Sequence, residues 1–325
     1  MEVAPATLEK NIRSWEKYFA GSYIVKMPVC DLTRFELKAF VTSVVRDNPM
    51  TRHYYNSEIK VVLNGLFDFA MDLDAAEYNI FRSVRLNSRI FKSPASKENL
   101  EEVFTLEEEF MIMDAAEDDA WEHMNAIPLG ICLLFVTGIR IGELCALQYG
   151  DLQGSVLTIQ RMQVVNKEIK DGKVHTSGYK IVERTKTSAG FRRIVLPDLA
   201  LDYFDQIRQI NFLNGFSYEP EDFIFRRTGK YVQMQHDDLA NSRAFDARLR
   251  KYCKQLNLSY IRSPHDIRRT YISMLLENGM NVDTVRQLAG HENIEMTLAY
   301  CRNRLQPDQI KNEIEKIFEQ KPNTM

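Results

Sequence analysis

The sequence has no uninterrupted apolar run of the length a bilayer crossing needs, and its first residues, MEVAPATLEK, lack the basic and apolar stretches of a secretory leader. Both absences point to a cytosolic protein. Cysteine is scarce: Cys30, Cys132, Cys145, Cys253 and Cys301 are scattered, odd in number and form no C-x-x-C pair, which removes the usual thiolate zinc and dithiol redox sites. They read as buried thiols. No internal repeat is visible. Net charge is also lacking, at only −3, which on its face argues against a nucleic-acid partner.

That small sum hides a partition. Residues 1–100 carry 14 basic against 12 acidic side chains, 101–150 carry 1 against 11, and 151–325 carry 27 against 22. All but one of the central acids lie between Glu101 and Glu122, so a single acidic segment masks two mildly basic ones. A DNA-facing surface is therefore compatible with the composition. At 325 residues, 45% of them hydrophobic, the chain suits two domains, each with an ordinary core.

The first hundred residues read as helices. Thr7 to Tyr18 is amphipathic, Thr33 with Glu36 forms a capping box opening a helix to about Arg46, and Thr51 to Met71 repeats apolar residues at helical spacing. KSPASKEN, residues 92–99, has linker composition, and a second capping box, Thr105 with Glu108, starts a new domain near residue 105. There the apolar AIPLGICLLFVT, 126–137, predicts a buried helix ended by Gly138. Strands follow in SVLTIQRMQVV, YKIVER and RRIVLP, the last two expected to form a hairpin around TKTSAGF, before helical patterns resume. The fold class is mainly α with a small antiparallel β-sheet: a helical domain over 1–98, a linker at about 92–104, and a second domain over 105–325.

Four short motifs have the chemistry for phosphate. TGIRIGELCAL, 137–147, places Arg140 after a glycine turn, and Glu143, three residues on, lies where it can orient the guanidinium. SPHDIRR, 263–269, looks like a helix start, with Ser263 as cap, Pro264 first, Asp266 closing a capping box, and His265 and Arg268 three apart on one face. Lys186 sits in the TKTSAGF loop, either as an exposed turn lysine or as an ammonium able to swing in and give up a proton. In GHENIEMTLAYC, 290–301, nine residues separate His291 from Tyr300, which inside one straight helix would set them on opposite faces. If Gly290 turns the chain and a helix starts at Asn293, both side chains can face one pocket; otherwise Ile294, Leu298 and Cys301 simply pack.

Taken in order, TGIRIGEL, TKT, HDIR, QLAGH and AYC resemble the tyrosine recombinase family, the phage and mobile-element integrases. Ala289 departs from the family's usual pattern before the histidine, a packing difference only. The resemblance covers residues 105–310 strongly, and the helical N-terminal part looks like the family's core-binding domain. It implies a site-specific DNA recombinase in which Tyr300 attacks a phosphodiester, Arg140 and Arg268 grip its non-bridging oxygens, His265 handles the proton, His291 donates to the phosphate, Lys186 protonates the leaving 5'-oxygen and Glu143 supports Arg140. It implies no metal, no ATP and no other cofactor. The partners it implies are double-stranded DNA, further copies of the chain in a tetramer, and excision or host bending factors, with no membrane, in a bacterial cytoplasm and nucleoid-associated when on DNA. Residues 306–320, with Ile310, Ile314, Ile317 and Phe318 in a stripe, either fold back or form an exchange helix docking on a neighbouring protomer. Nothing before Thr7 reads as the arm-binding domain that many such integrases carry, so the expectation is either a simpler recombinase or a chain from which that domain has been removed. Type IB topoisomerase-like relaxation and a non-catalytic DNA-binding accessory role are the competing readings.

Overall fold

The computed structural model describes residues 5–93, 99–170, 173–183, 190–227 and 239–300. Lys186, Cys301 and the stripe at 306–320 lie outside the described residues. The chain divides into two compact units, Met1–Ser96 with Val165–Gly178, and Lys97–Val164 with Tyr179–Met325.

The first unit is helical. Helix α1 (Pro5–Tyr18) is followed by α2 (Arg34–Asp47), where the side chain of Thr33 accepts from the Glu36 N–H and the Glu36 carboxylate accepts in return from the Thr33 N–H. Thr51 caps α3 (Arg52–Tyr55), which runs through a π turn at Asn56–Lys60 into α4 (Val61–Asp72), so the helical spacing from Thr51 to Met71 corresponds to one nearly continuous helix. Phe19, Leu37, Val41, Val45, Ile59 and Phe67 fill its core. Cys30 is exposed, contrary to the expectation of a buried thiol, because it lies in a short 3-10 turn with no buried residue.

The second unit begins with the short α5 (Asn99–Glu102) and then α6 (Leu106–Glu122), opened by the Thr105–Glu108 capping box and carrying Glu107, Glu108 and Glu109 where the helix dipole favours negative charge. Part of the acidic segment turns inward: buried Asp119 accepts twice from Arg248 Nη1, at 3.0 and 2.8 Å, and once from the Tyr252 hydroxyl. Helix α7 (Ala126–Thr137) is apolar all round and buried on nearly every side, as an unbroken apolar run of helical length requires. Each Leu, Ile or Phe enclosed this way contributes about 1.5–3 kcal/mol. Gly130 is needed in it, because a Cβ there would lie 2.6 Å from the Phe245 ring and 2.8 Å from that of Phe225.

After α8 (Ile141–Leu144) come β1 (Leu152–Gln153), β2 (Val156–Ile159), β3 (Met162–Lys170), β4 (Lys173–Val182) and β5 (Arg192–Val195). They form two sheets, β1-β2-β5 and β3-β4. The hairpin expected between YKIVER and RRIVLP is therefore corrected: β5 pairs antiparallel with β2, Leu157 opposite Ile194, while β4 pairs with β3. The buried Leu157, Ile159, Ile194 and Leu196 explain the choice, since pairing β2 with β5 buries both apolar sets on one core. Helices α9 (Asp198–Leu213), α10 (Ser242–Gln255), α11 (Pro264–Glu277), α12 (Val282–Ala289) and α13 (Ile294–Leu298) complete the unit. No helix among the described residues is long and apolar enough to cross a membrane.

Candidate active site

The site is built where several element ends meet. Gly138 terminates α7 in the left-handed region at φ 60°, and a Cβ on it would fall 2.1 Å from Tyr271 Cδ1, so glycine lets the Tyr271 ring of α11 lie against the turn. The turn delivers Arg140 to the N-cap of α8. Glu143 closes that cap: its Oε2 accepts the Arg140 backbone N–H at 2.9 Å and its Oε1 accepts from Arg140 Nη1 at 2.8 Å. The same carboxylate takes two bonds from Arg192, Nη1 to Oε1 at 3.0 Å and Nη2 to Oε2 at 2.8 Å. Burial pushes the Glu143 carboxyl up, but the bonds and charge of Arg192 and then Arg140 outweigh it, holding the group at about 2.

Ser263 caps α11 through a reciprocal box with Asp266, and Pro264 takes the first helical position, as the motif predicts. This start puts His265 and Arg268 on one face. Arg268 is buried, donating from Nη1 to Gly138 O at 2.7 Å and from Nη2 to Ala289 O. Helix α12 ends at Gly290, left-handed at φ 65°, and its last carbonyls would otherwise be orphaned. Three successive carbonyls each receive a guanidinium: Leu288 O from Arg192 Nε at 2.7 Å, Ala289 O from Arg268, and Gly290 O from Arg140 Nη2 at 2.8 Å. Cations at this end also oppose the helix dipole. Donor arithmetic separates the three roles. Arg192 commits Nε and both terminal nitrogens and is 8% exposed, whereas the bonds of Arg140 and Arg268 to Glu143 and the carbonyls each use two of five N–H groups. Arg140, with its side chain 33% exposed, is the one open to solvent.

Beyond Gly290, His291 lies in the turn and Asn293 caps α13, its side chain accepting from the Met296 N–H at 2.9 Å. The turn brings His291 and Tyr300 together, their ring centroids 4.9 Å apart, while Tyr300 Oη lies 3.2 Å from His265 Nε2. Ser273 Oγ donates to Tyr300 O at 3.0 Å, and the Arg269 guanidinium lies 5.7 Å from the centre of the Tyr300 ring. Ile294 and Leu298 are exposed, so the segment is not explained by their packing. Burial, then the charges of Arg268, Arg140 and Arg192, depresses His291 to about 3. Burial and the Arg269 charge lower His265, which leaves a neutral ring able to accept a proton near pH 7. Burial and then the Arg140 charge depress Arg268, yet a guanidinium keeps its proton at neutral pH.

Arg140, Glu143, His265, Arg268, His291 and Tyr300 thus converge, and Lys186 lies outside the described residues. Arg192 is the residue that sequence reasoning missed. Its only local signal was a basic pair opening a strand, and its counter-ion stands 49 residues away. Among the described residues no group of three His, Cys, Asp or Glu side chains is placed to hold a metal ion.

The sequence profile of the phage integrase family matches residues 102–306, which is more than half of the chain and contains every one of these residues. The chain belongs to the phage integrase family. This family member is 26% identical over 214 residues to the tyrosine recombinase XerC of Natranaerobius thermophilus, spanning 66% of the chain and 62% of that relative. It is 28% identical over 239 residues to the prophage ps2 probable integrase of Lactococcus lactis, spanning 72% of the chain and 58% of the relative. With the transposase from transposon Tn916 of Enterococcus faecalis the identity is 27% over 207 residues, 61% of the chain and 47% of the relative. The chain thus spans less than two thirds of the length of these relatives. Among solved structures, the Tn1549 transposon integrase in complex with a circular intermediate DNA superposes with a TM-score of 0.63 at 20% identity, covering 95% of this chain and 99% of that one. The lambda integrase tetramer bound to a Holliday junction gives 0.57 at 17%, covering 93% and 72%. The integrase fold is shared across these distances.

Proposed function

We propose that this chain is a site-specific recombinase that cuts and rejoins double-stranded DNA through a covalent 3'-phosphotyrosine at Tyr300, integrating or excising a mobile element. The observation that carries the reading is the phenol of Tyr300 at 3.2 Å from the imidazole of His265, in a site where Arg140 and Arg268 are already clamped by backbone carbonyls. Tyr300 Oη attacks the phosphorus in line, its proton passing to His265 Nε2 as the new O–P bond forms. The spare N–H groups of Arg140 and Arg268 bind the non-bridging oxygens, whose charge grows in the transition state, and preset guanidiniums do so without reorganising. His291 adds a further donor. The P–O5' bond breaks and the leaving oxygen takes its proton from Lys186; attack by a 5'-hydroxyl then reverses the step and rejoins the strand. Because guanidiniums supply the charge, the scheme uses no metal and no nucleotide.

DNA is the substrate in this reading, and the chain works as a tetramer, with residues 306–320 as the exchange helix and residues 1–98 as a core DNA-binding domain. The DNA-bound Tn1549 integrase and the lambda integrase tetramer support both partners. Excision and host bending factors belong to the same reading. Tyr300→Phe tests it: the variant binds DNA but forms no covalent adduct with a nicked suicide duplex on a denaturing gel. An adduct from that variant would move the nucleophile elsewhere. Tyr271 is the other tyrosine near the site, but its ring packs on Gly138 and burial raises its phenol, both of which disfavour attack.

A further inference from the structure

Thr297 lies on α13 with no exposed surface, three residues before Tyr300 and six after His291. Its carbonyl accepts the Tyr300 N–H at 3.0 Å, and its Oγ1 is 3.0 Å from His291 Nδ1. One buried residue therefore ties both members of the spacing together. The other ring nitrogen, His291 Nε2, is buried and has no hydrogen-bond partner. The charged groups facing this ring are Arg268 from α11, Arg140 from the N-cap of α8 and Arg192 from β5, with the neutral, titratable His265 of α11 beside them, while Arg286 of α12 donates to the His291 carbonyl at 3.1 Å. Cations on these sides keep the imidazole neutral, so it carries one proton and the question is on which nitrogen.

A hydroxyl can donate or accept, so the pair has two arrangements. If Nδ1 carried the proton, Thr297 would accept and Nε2 would present a lone pair, which repels an anionic oxygen. If Thr297 donates to Nδ1, the proton lies on Nε2 and the buried orphan becomes a donor awaiting an acceptor. Resting on the phosphodiester-cleavage reading above, we propose that Thr297 is a positioning residue: its hydroxyl donates to His291 Nδ1, fixing the Nε2–H tautomer and aiming that N–H at a phosphate oxygen beside Tyr300. The cost of a buried unpaired donor in the free protein is relieved when the phosphate arrives. This is the arrangement in which binding strengthens with charge on the phosphate, as transition-state stabilisation requires.

Thr297→Val keeps the shape and removes the hydroxyl, while Thr297→Ser restores it. Long-range proton–nitrogen spectra of histidine-labelled free protein should place the His291 proton on Nε2 in the wild type and the Ser variant, and partly or wholly on Nδ1 in the Val variant. Single-turnover adduct formation on a suicide duplex should fall about tenfold in Thr297→Val, the loss of one orienting hydrogen bond, and recover in Thr297→Ser, with saturating protein keeping any change in DNA affinity out of the measured rate. A wild-type proton on Nδ1, or a Val variant with wild-type tautomer and rate, would overturn the proposal. Should the Val variant fail to fold, the wild-type and Ser spectra still decide the tautomer. A wild type that forms no adduct would overturn the cleavage reading instead, leaving the tautomer assignment to the spectra.

Discussion

Glu143 and His291 show how burial acts with opposite outcomes on two titrating side chains. Both are 1% exposed. Glu143 stays charged because two guanidiniums bond to it, whereas His291 is surrounded by cations and stays neutral. The consequences for stability follow from linkage. Glu143 is depressed, so its contribution is present above its ordinary value near 4.5 and is lost as pH falls toward about 2. His291 falls from 6.5 to about 3, so between those values the unfolded chain binds a proton that the folded ring refuses. Its neutral form therefore contributes stability that is whole above 6.5 and lost on acidification, with a slope approaching about 1.4 kcal/mol per pH unit. Urea unfolding of the wild type and of His291→Gln at pH 7 and pH 5 measures this. The stability lost between the two pH values should be smaller in the variant by about 2 kcal/mol. Equal losses would mean that His291 titrates normally in the fold.

At the scale of elements, the candidate active site is a set of helix ends. The C-terminus of α7, the N-terminus of α11 and the C-terminus of α12 come within hydrogen-bonding reach, and Arg268 spans the two C-termini through Gly138 O and Ala289 O. An α-helix leaves its last carbonyls unpaired, and here those acceptors fix the guanidiniums in place. Gly138 is the tightest point of this arrangement. Gly138→Ala puts a Cβ in the left-handed region and 2.1 Å from the Tyr271 ring, which must shift and carry α11 with it. We expect a loss of about 1–3 kcal/mol in urea unfolding at pH 7, from backbone strain and overpacking together. Adduct formation should slow as well, since the Gly138 carbonyl holds Arg268. Unchanged stability would mean that the turn relaxes freely.

At the scale of the whole molecule, the described residues form two large cores, one around Phe19, Val41 and Ile59 and one around α7, and a small third cluster of Ile272, Val285 and Ala289. The tip of the β3-β4 sheet groups with the first unit, where Lys167 pairs with Glu9. Division of the chain into a DNA-gripping part and a cutting part is the natural use of such a plan under the proposed function. The apolar stripe of Ile310, Ile314, Ile317 and Phe318 then has a role at this scale, since leaving it in water is unfavourable and docking on a neighbouring protomer would cover it. Deleting residues 306–325 should leave binding of one protomer to a half-site nearly unchanged, while weakening cooperative occupancy of a full site and strand exchange. Gel-shift titrations on half and full sites, beside a recombination assay, measure both. Normal cooperativity with normal recombination would place the stripe within its own domain.

Signals that act over three or four residues were legible before any coordinates. The capping boxes of Thr33, Thr105 and Ser263, and the glycine stops at 138 and 290, depend on neighbours in the chain, and the structure has each where the residues predict it. The motif order around Arg140, His265, Arg268, His291 and Tyr300 was legible for the same reason, because each motif carries its own local setting. Tertiary structure alone decided the rest. Which strand β5 joins depends on a core shared with β2, so among the described residues β5 pairs with β2 and β4 with β3. Arg192 gains its place from Glu143 and the Leu288 carbonyl, 49 and 96 residues distant, and no local pattern encodes either partner. The same holds for the 3.2 Å contact of Tyr300 with His265 across 35 residues. Local residue types set which helices start and stop, whereas the pairing of buried charges and carbonyls is chosen only when those ends are packed together.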